Sequence, residues 1–326
     1  MNFIQQAYKG KNAFWRYMLS FFVIVIGWQL IGAIPLFITA VLHSKNFNEF
    51  MEAAQSNFLT LGINSNLFLF MMLLTFAIGL VFLFISIKYI HKRSIISLIT
   101  SRMKIDWNRF FFSFTLWFVF STATLAIGYF TAPENFTWNF KLMPFLILVA
   151  VSFILMPLQT SFEELFFRGY LMQGFGILLK NSWFPLIFTS VIFGLLHGFN
   201  PEFDKLGPVV MVYYIGTGFL LGIMTLMDEG TELNLGFHAA NNIVAAIFVT
   251  NNWSVFQTDA ILIDNSEPSL GFETFIPVFV IYPILLFIMS KKYGWTNWQE
   301  KLLRKITKPQ AKEEKHFFED ENMLEL

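Results

Sequence analysis

The chain has 326 residues, 56% of them hydrophobic and only 13% charged, with a mean hydropathy of +0.58. Soluble domains average about 45–50% apolar and about 25% charged residues, so an ordinary water-soluble fold is excluded on both counts. Lys and Arg balance Asp and Glu at 22 each, which leaves no bulk positive field for nucleic acid, and with no Cys there is no disulfide framework, thiolate zinc site or cysteine nucleophile.

Met1 to Arg16 is basic and runs straight into a long apolar segment without a small-residue cleavage site, which predicts a retained first helix and not a signal peptide. A membrane-crossing helix needs about 20 mostly apolar residues. Such stretches lie near 17–42, 65–90, 108–131, 143–179, 183–199, 208–227, 232–251 and 274–290. The first and fourth are over-long, with Pro35 and Pro157 as the expected kink points. The predicted fold is therefore all-α, a polytopic membrane helix bundle of about eight transmembrane helices over residues 1–290, with short connections and no internal repeat.

Lys and Arg cluster before the first helix (Lys9, Lys11, Arg16), between the second and third (Lys88 to Arg109), and after the last (Lys291 to Lys315). The loops at 43–64 and 132–142 carry one Lys each and 252–273 carries none. An even number of crossings in the cell membrane, with both termini cytoplasmic, satisfies this pattern. The tail, 291–326, places Trp295, Trp298, Leu302 and Ile306 at helical spacing among basic residues, which reads either as an interfacial helix on an anionic leaflet or as a solvated basic end that fixes topology. An acidic stretch, Glu319 to Glu321, closes it and is expected to be disordered.

An ionisable group inside a bilayer costs about 2.5–3.5 kcal/mol on insertion scales, so each one marks a functional candidate. His197 and His238 lie in apolar segments, as do Glu163, Glu164 and Arg168. On a helix, Glu164 and Arg168 share a face and neutralise each other, while Glu163 is rotated by about 100° and lacks that partner. The alternative is a structural ion-pair network of all three. The break at Lys180-Asn181-Ser182 makes a helical hairpin in which Glu163 and His197 lie at similar depth, about 21–25 Å from the turn. Phe193, one turn before His197, could wall the site or simply pack. In His238-Ala239-Ala240-Asn241-Asn242, His238 and Asn242 share a face, with small residues that admit a close neighbour. His238 is only about 10 Å from its loop by the same count, so its helix must tilt or begin earlier. A carboxylate base, a His partner and a His/Asn donor pair suit attack of water on an amide. His-Glu-x-x-His and Gly-x-Ser-Gly are absent, and all six Asp lie in loops, flanks or the tail, so zincin, rhomboid and aspartyl chemistry lack their motifs.

Glu163-Glu164-x-x-x-Arg168, Phe193-x-x-x-His197 and His238-x-x-x-Asn242, in that order, resemble the CPBP (Abi, type II CAAX prenyl endopeptidase) family, over a core of about 141–251. The resemblance implies a glutamate-dependent intramembrane endopeptidase: Glu163 as general base, His197 as its partner, His238 and Asn242 as the oxyanion hole, and Glu164 with Arg168 in support. No cofactor is expected, because an oxyanion role explains Asn242, a poor zinc ligand, better than a metal site does, while Glu and His remain competent zinc ligands. The expected partners are the bilayer and a peptide or membrane-protein substrate. The competing reading is a non-enzymatic immunity or scaffolding protein of the same fold. A proton-coupled transporter would use the same buried groups, but its usual inverted repeat is not detectable.

Overall fold

The structure is a computed structural model and describes residues 1–267 and 271–309. It is an all-α membrane bundle. By length and composition, helices α1 (Phe14–His43), α2 (Ser65–Ile90), α3 (Trp107–Thr131) and α4 (Leu142–Leu179) can each cross a membrane. Helix α5 (Trp183–Phe199) is apolar but shorter, and α6 (Pro201–Asp228) is again long enough. Helices α7 (Glu232–Ile247) and α8 (Tyr282–Tyr293) follow and are shorter, so each predicted segment is helical over most of its length while five of the described helices are long enough to cross. Leu42, Phe130 and Phe287 are 62–79% exposed, a surface that only lipid would solvate favourably.

The two over-long helices depart from α geometry in different ways. Helix α1 widens into π-helical turns at Ile26–Ile31 and restarts at Ile34, with Pro35 in its new first turn, as expected. In α4, Pro157 lies inside continuous helix. The irregularity comes later, as π-helical turns over Leu165–Met172, where Arg168 turns inward. Such wide turns often accompany functional sites.

The connections gather at two ends. At one end, Phe3 N–H donates to Glu229, Ile306 N–H donates to the Lys180 carbonyl, and Arg304 pairs with Glu229 at 2.6 Å. At the other, Asn66 bonds Asp259, Asn139 bonds the Ala260 carbonyl, and Val255 N–H donates to Glu202. Both described termini therefore lie at the same, basic end. The low-lysine loops are more than connections: β1 (Phe136–Trp138), β2 (Val249–Thr250) and β3 (Leu262–Asp264) form a small sheet, with β3 antiparallel to β1 and parallel to β2.

Two glycines bring the central helices together. A Cβ on Gly236 would lie 2.1 Å from the Phe110 carbonyl, so α7 can lie directly against α3. A Cβ on Gly218 would lie 2.4 Å from the Ser190 carbonyl. The Gly216–Gly222 run therefore packs α6 within this chain.

The tail differs from a long interfacial helix. Among the described residues beyond α8, Trp298–Leu303 is the one helical stretch, and Trp295 and Ile306 are buried against the bundle. Trp295 Nε1 donates to Asp228 and Lys301 Nζ to the Met227 carbonyl, so polar docking at the α6–α7 turn wins over an extended amphipathic face. The acidic stretch lies outside the described residues.

Asp228, 2% exposed, accepts from Arg102 at 2.9 Å and Arg109 at 2.7 Å, whereas Arg304 and Glu229 are both about a fifth exposed. Asp228→Asn should therefore destabilise by about 2 kcal/mol, against at most about 1 kcal/mol for Arg304→Ala. Thermal unfolding in detergent reads both; equal effects would refute the distinction.

Candidate active site

The π-helical turns of α4 follow directly on Glu163 and Glu164, and the two carboxylates divide as their spacing demands. Glu164 is fully buried and bonds Arg168 Nη1 at 3.1 Å. Arg168, also fully buried, sends Nη2 to the Gly218 carbonyl on α6 at 3.0 Å, and its guanidinium lies 4.4 Å from the Phe193 ring centre. Glu163 has no Lys or Arg partner among the described residues. Its side chain is 14% exposed, and its Oε2 is buried without a hydrogen bond.

Helix α7 brings the other half of the site. His238 Nδ1 lies 2.9 Å from Glu164 Oε1, and its Nε2 lies 3.5 Å from Glu163 Oε2. Because the paired Glu164 carboxylate accepts hydrogen bonds, Nδ1 is the protonated nitrogen and Nε2 faces Glu163. The imidazole nearest to Glu163 is thus His238, where the hairpin count favoured His197. That count compared only α4 with α5. Helix α7 reaches the same depth because its first turn starts inside the bundle, with Thr231 N–H bonded to the Ile99 carbonyl and Ser101 N–H to that of Glu229.

His197 ends α5, in a final 3-10 turn. Its Nδ1 donates to the Phe193 carbonyl at 2.8 Å and its ring stacks on Tyr214 at 4.4 Å, so Nε2 of the neutral ring is left as an acceptor. Phe193 lies between the imidazoles, 4.7 Å from His197 and 6.0 Å from His238, and so both packs and walls the site. Asn242 is buried, one turn beyond His238, and donates from Nδ2 to Gln159 Oε1 at 3.0 Å.

Two residues were missed by the sequence reading. Asn234 donates from Nδ2 to Glu164 at 3.2 Å, as well as to the Leu221 carbonyl and Thr225. Gln159 stands beside both Asn242 and Glu163. Each lies four residues before a motif residue, Asn234 before His238 and Gln159 before Glu163. A polar residue one turn from a buried ionisable group on an apolar helix was the available signal.

Zinc would need three protein ligands and an open position. Among the described residues no group of three or more His, Asp or Glu that could hold a metal ion comes together.

A cavity of about 1210 Å³ opens between α1, α2 and the α4–α5 hairpin. Its lining is mostly aromatic and aliphatic, and includes Phe167, which meets Phe193 edge-on at 5.4 Å.

Three membrane helices thus gather a carboxylate pair, two imidazoles and an amide, the polar centre of a multi-pass membrane enzyme. The Rce1-like family model, type II CAAX prenyl endopeptidase, matches residues 139–244. The chain is also 33% identical over 261 residues to the uncharacterized protein YyaK of Bacillus subtilis (strain 168), covering 78% of this chain and 85% of that one. No solved structure matches it. The chain belongs to the CPBP family, a protease-type family of membrane enzymes.

Removing one partner of a buried ion pair costs about 3–5 kcal/mol. Glu164→Gln strands Arg168 and should cut the yield of folded protein sharply, while Glu163→Gln should stay within about 1 kcal/mol of wild type. Parallel unfolding curves and size-exclusion profiles decide this; a Glu163→Gln protein as unstable as Glu164→Gln would place Glu163 in the structural network.

Proposed function

We propose that this chain is an intramembrane glutamic endopeptidase that hydrolyses a peptide bond without a metal. The observation that carries the reading is Glu163 Oε2: a buried carboxylate oxygen with no hydrogen bond, 3.5 Å from an imidazole whose other nitrogen is held by Glu164. A group left unsatisfied in a bundle that pairs Glu164 so fully costs stability, and such a cost is retained where it serves chemistry.

Glu163 takes a proton from a water molecule, with His197 Nε2 as the second acceptor that orients it. The water oxygen attacks the scissile carbonyl carbon. The developing oxyanion is met by the Asn242 amide and by His238 as an imidazolium, which donates from Nε2 while its Nδ1–H stays on Glu164. On collapse the C–N bond breaks, the leaving amine takes the proton held by Glu163, and the acid product passes its remaining proton by way of His197 to the amine, so that a carboxylate and an ammonium leave. Glu164, Arg168 and Asn234 touch no reacting atom; they anchor the His238 ring through Nδ1.

The substrate is a peptide or membrane protein drawn from the bilayer, and the apolar cavity beside Phe167 favours an apolar segment or a lipidated end. The chain lies in the cell membrane with its basic end, and so both described termini, in the cytoplasm.

Purified wild type, Glu163→Gln, His197→Ala, His238→Ala and Asn242→Ala, incubated with a panel of peptides with and without chelator, test this directly. Loss of a single oxyanion donor should lower kcat by about 10²–10³-fold, Glu163→Gln should abolish cleavage, and chelator should have no effect. Full cleavage by Glu163→Gln would exclude it as base. Motif variants that keep a cellular phenotype while no purified form cleaves anything would favour the immunity or scaffolding reading.

A further inference from the structure

A side-chain amide has two unlike ends: its oxygen accepts and its nitrogen donates. Asn242 can stabilise an oxyanion only if its nitrogen faces the substrate, and the two ends of an amide are too alike in size for shape alone to choose between the orientations. The choice is made by a hydrogen-bond chain that crosses three helices. Trp117 Nε1 on α3 donates to Asn241 Oδ1 at 3.0 Å. Asn241 Nδ2 donates to Asn242 Oδ1 at 3.2 Å. Asn242 Nδ2 donates in turn to Gln159 Oε1 at 3.0 Å. With that oxygen occupied, the nitrogen of Gln159 is what it offers to the carboxylate of Glu163, one turn further along α4.

Both ends of this chain are chemically one-way. An indole N–H only donates and a carboxylate only accepts. Flipping any single amide between them would set N–H against N–H, or oxygen against oxygen. The direction of all three amides therefore follows from the two terminal groups. Trp117 is itself held firmly, 6% exposed and 4.5 Å from the ring of Phe237.

We propose that Trp117, Asn241 and Gln159 are positioning residues forming a one-way hydrogen-bond relay, which turns the Asn242 amide nitrogen toward the substrate oxygen and couples it to Glu163. This rests on the catalytic reading of Glu163 and Asn242. One hydrogen of Asn242 Nδ2 is bound by Gln159, and the other is left for the oxyanion. The relay spans α3, α4 and α7, so it also fixes the lateral position of the donor relative to the base.

The test pairs a kinetic readout with one that needs no turnover. Asn241→Asp keeps the side-chain shape and still accepts from Trp117, but cannot donate to Asn242. With a quenched-fluorescent peptide ending in a farnesylated Cys-aliphatic-aliphatic-X sequence, it should lower kcat by about ten- to a hundred-fold and leave KM within about two-fold. Gln159→Leu should do the same. Independently, in protein labelled with ¹⁵N-tryptophan, the indole N–H signal that Trp117→Phe removes should move in Gln159→Leu, although residues 117 and 159 are on different helices and joined only through the amides. A moved signal with no cleavage by wild type would keep the relay and remove the catalytic reading. A kcat for Asn241→Asp within about two-fold of wild type, or an indole signal unmoved by Gln159→Leu, would overturn the relay.

Discussion

A fully buried carboxylate within a membrane bundle must be neutralised where it stands, and the whole polar centre is arranged around how Glu164 is neutralised. Its two oxygens take Arg168 from its own helix and both His238 and Asn234 from α7. Arg168 extends the grip to α6 through the Gly218 carbonyl. Three helices are thereby fixed relative to one another through one side chain. The net stabilisation from such a pair is modest once desolvation is counted, but breaking it is costly, so its main effect is to make this arrangement unique.

The consequence falls on the neighbouring residue. With Glu164 and Arg168 satisfied by each other, Glu163 is left facing the same imidazole from the other side, without a cation. Adjacent residues on one helix thus do opposite work, one rigid and paired, the other exposed to whatever enters the site. The glycines serve the same end, since α6 and α7 could not come so close to α5 and α3 with a Cβ at Gly218 or Gly236.

Much of this was legible in the sequence, because it depends on spacing along single helices. The four-residue step from Glu164 to Arg168 gave the ion pair, and the step from His238 to Asn242 put both on one face. Charge placement predicted a basic end, and the described chain gathers Phe3, Lys180, Glu229 and Arg304 to Ile306 at one end. What could not be read was how helices distant in sequence stack. A depth count along one hairpin pointed to His197 as the neighbour of Glu163, but His238 is closer because the α6–α7 turn is sunk beneath residues 99–101. Gln159 and Asn234 carried a signal, each one turn from a motif residue, but their partners lie on other helices. Nothing in the local pattern of residues 291–309 announced that Trp295 would bury itself beside Asp228 and Ile306 beside Lys180 instead of lying on a membrane surface.

The most direct test of the central claim is an experimental structure of Glu163→Gln protein holding an uncleaved peptide. The scissile carbonyl oxygen should lie about 3 Å from both His238 Nε2 and the Asn242 amide nitrogen, with the carbonyl carbon within reach of a water held by the side chain at 163. A peptide seated elsewhere, with its carbonyls remote from His238 and Asn242, would contradict it.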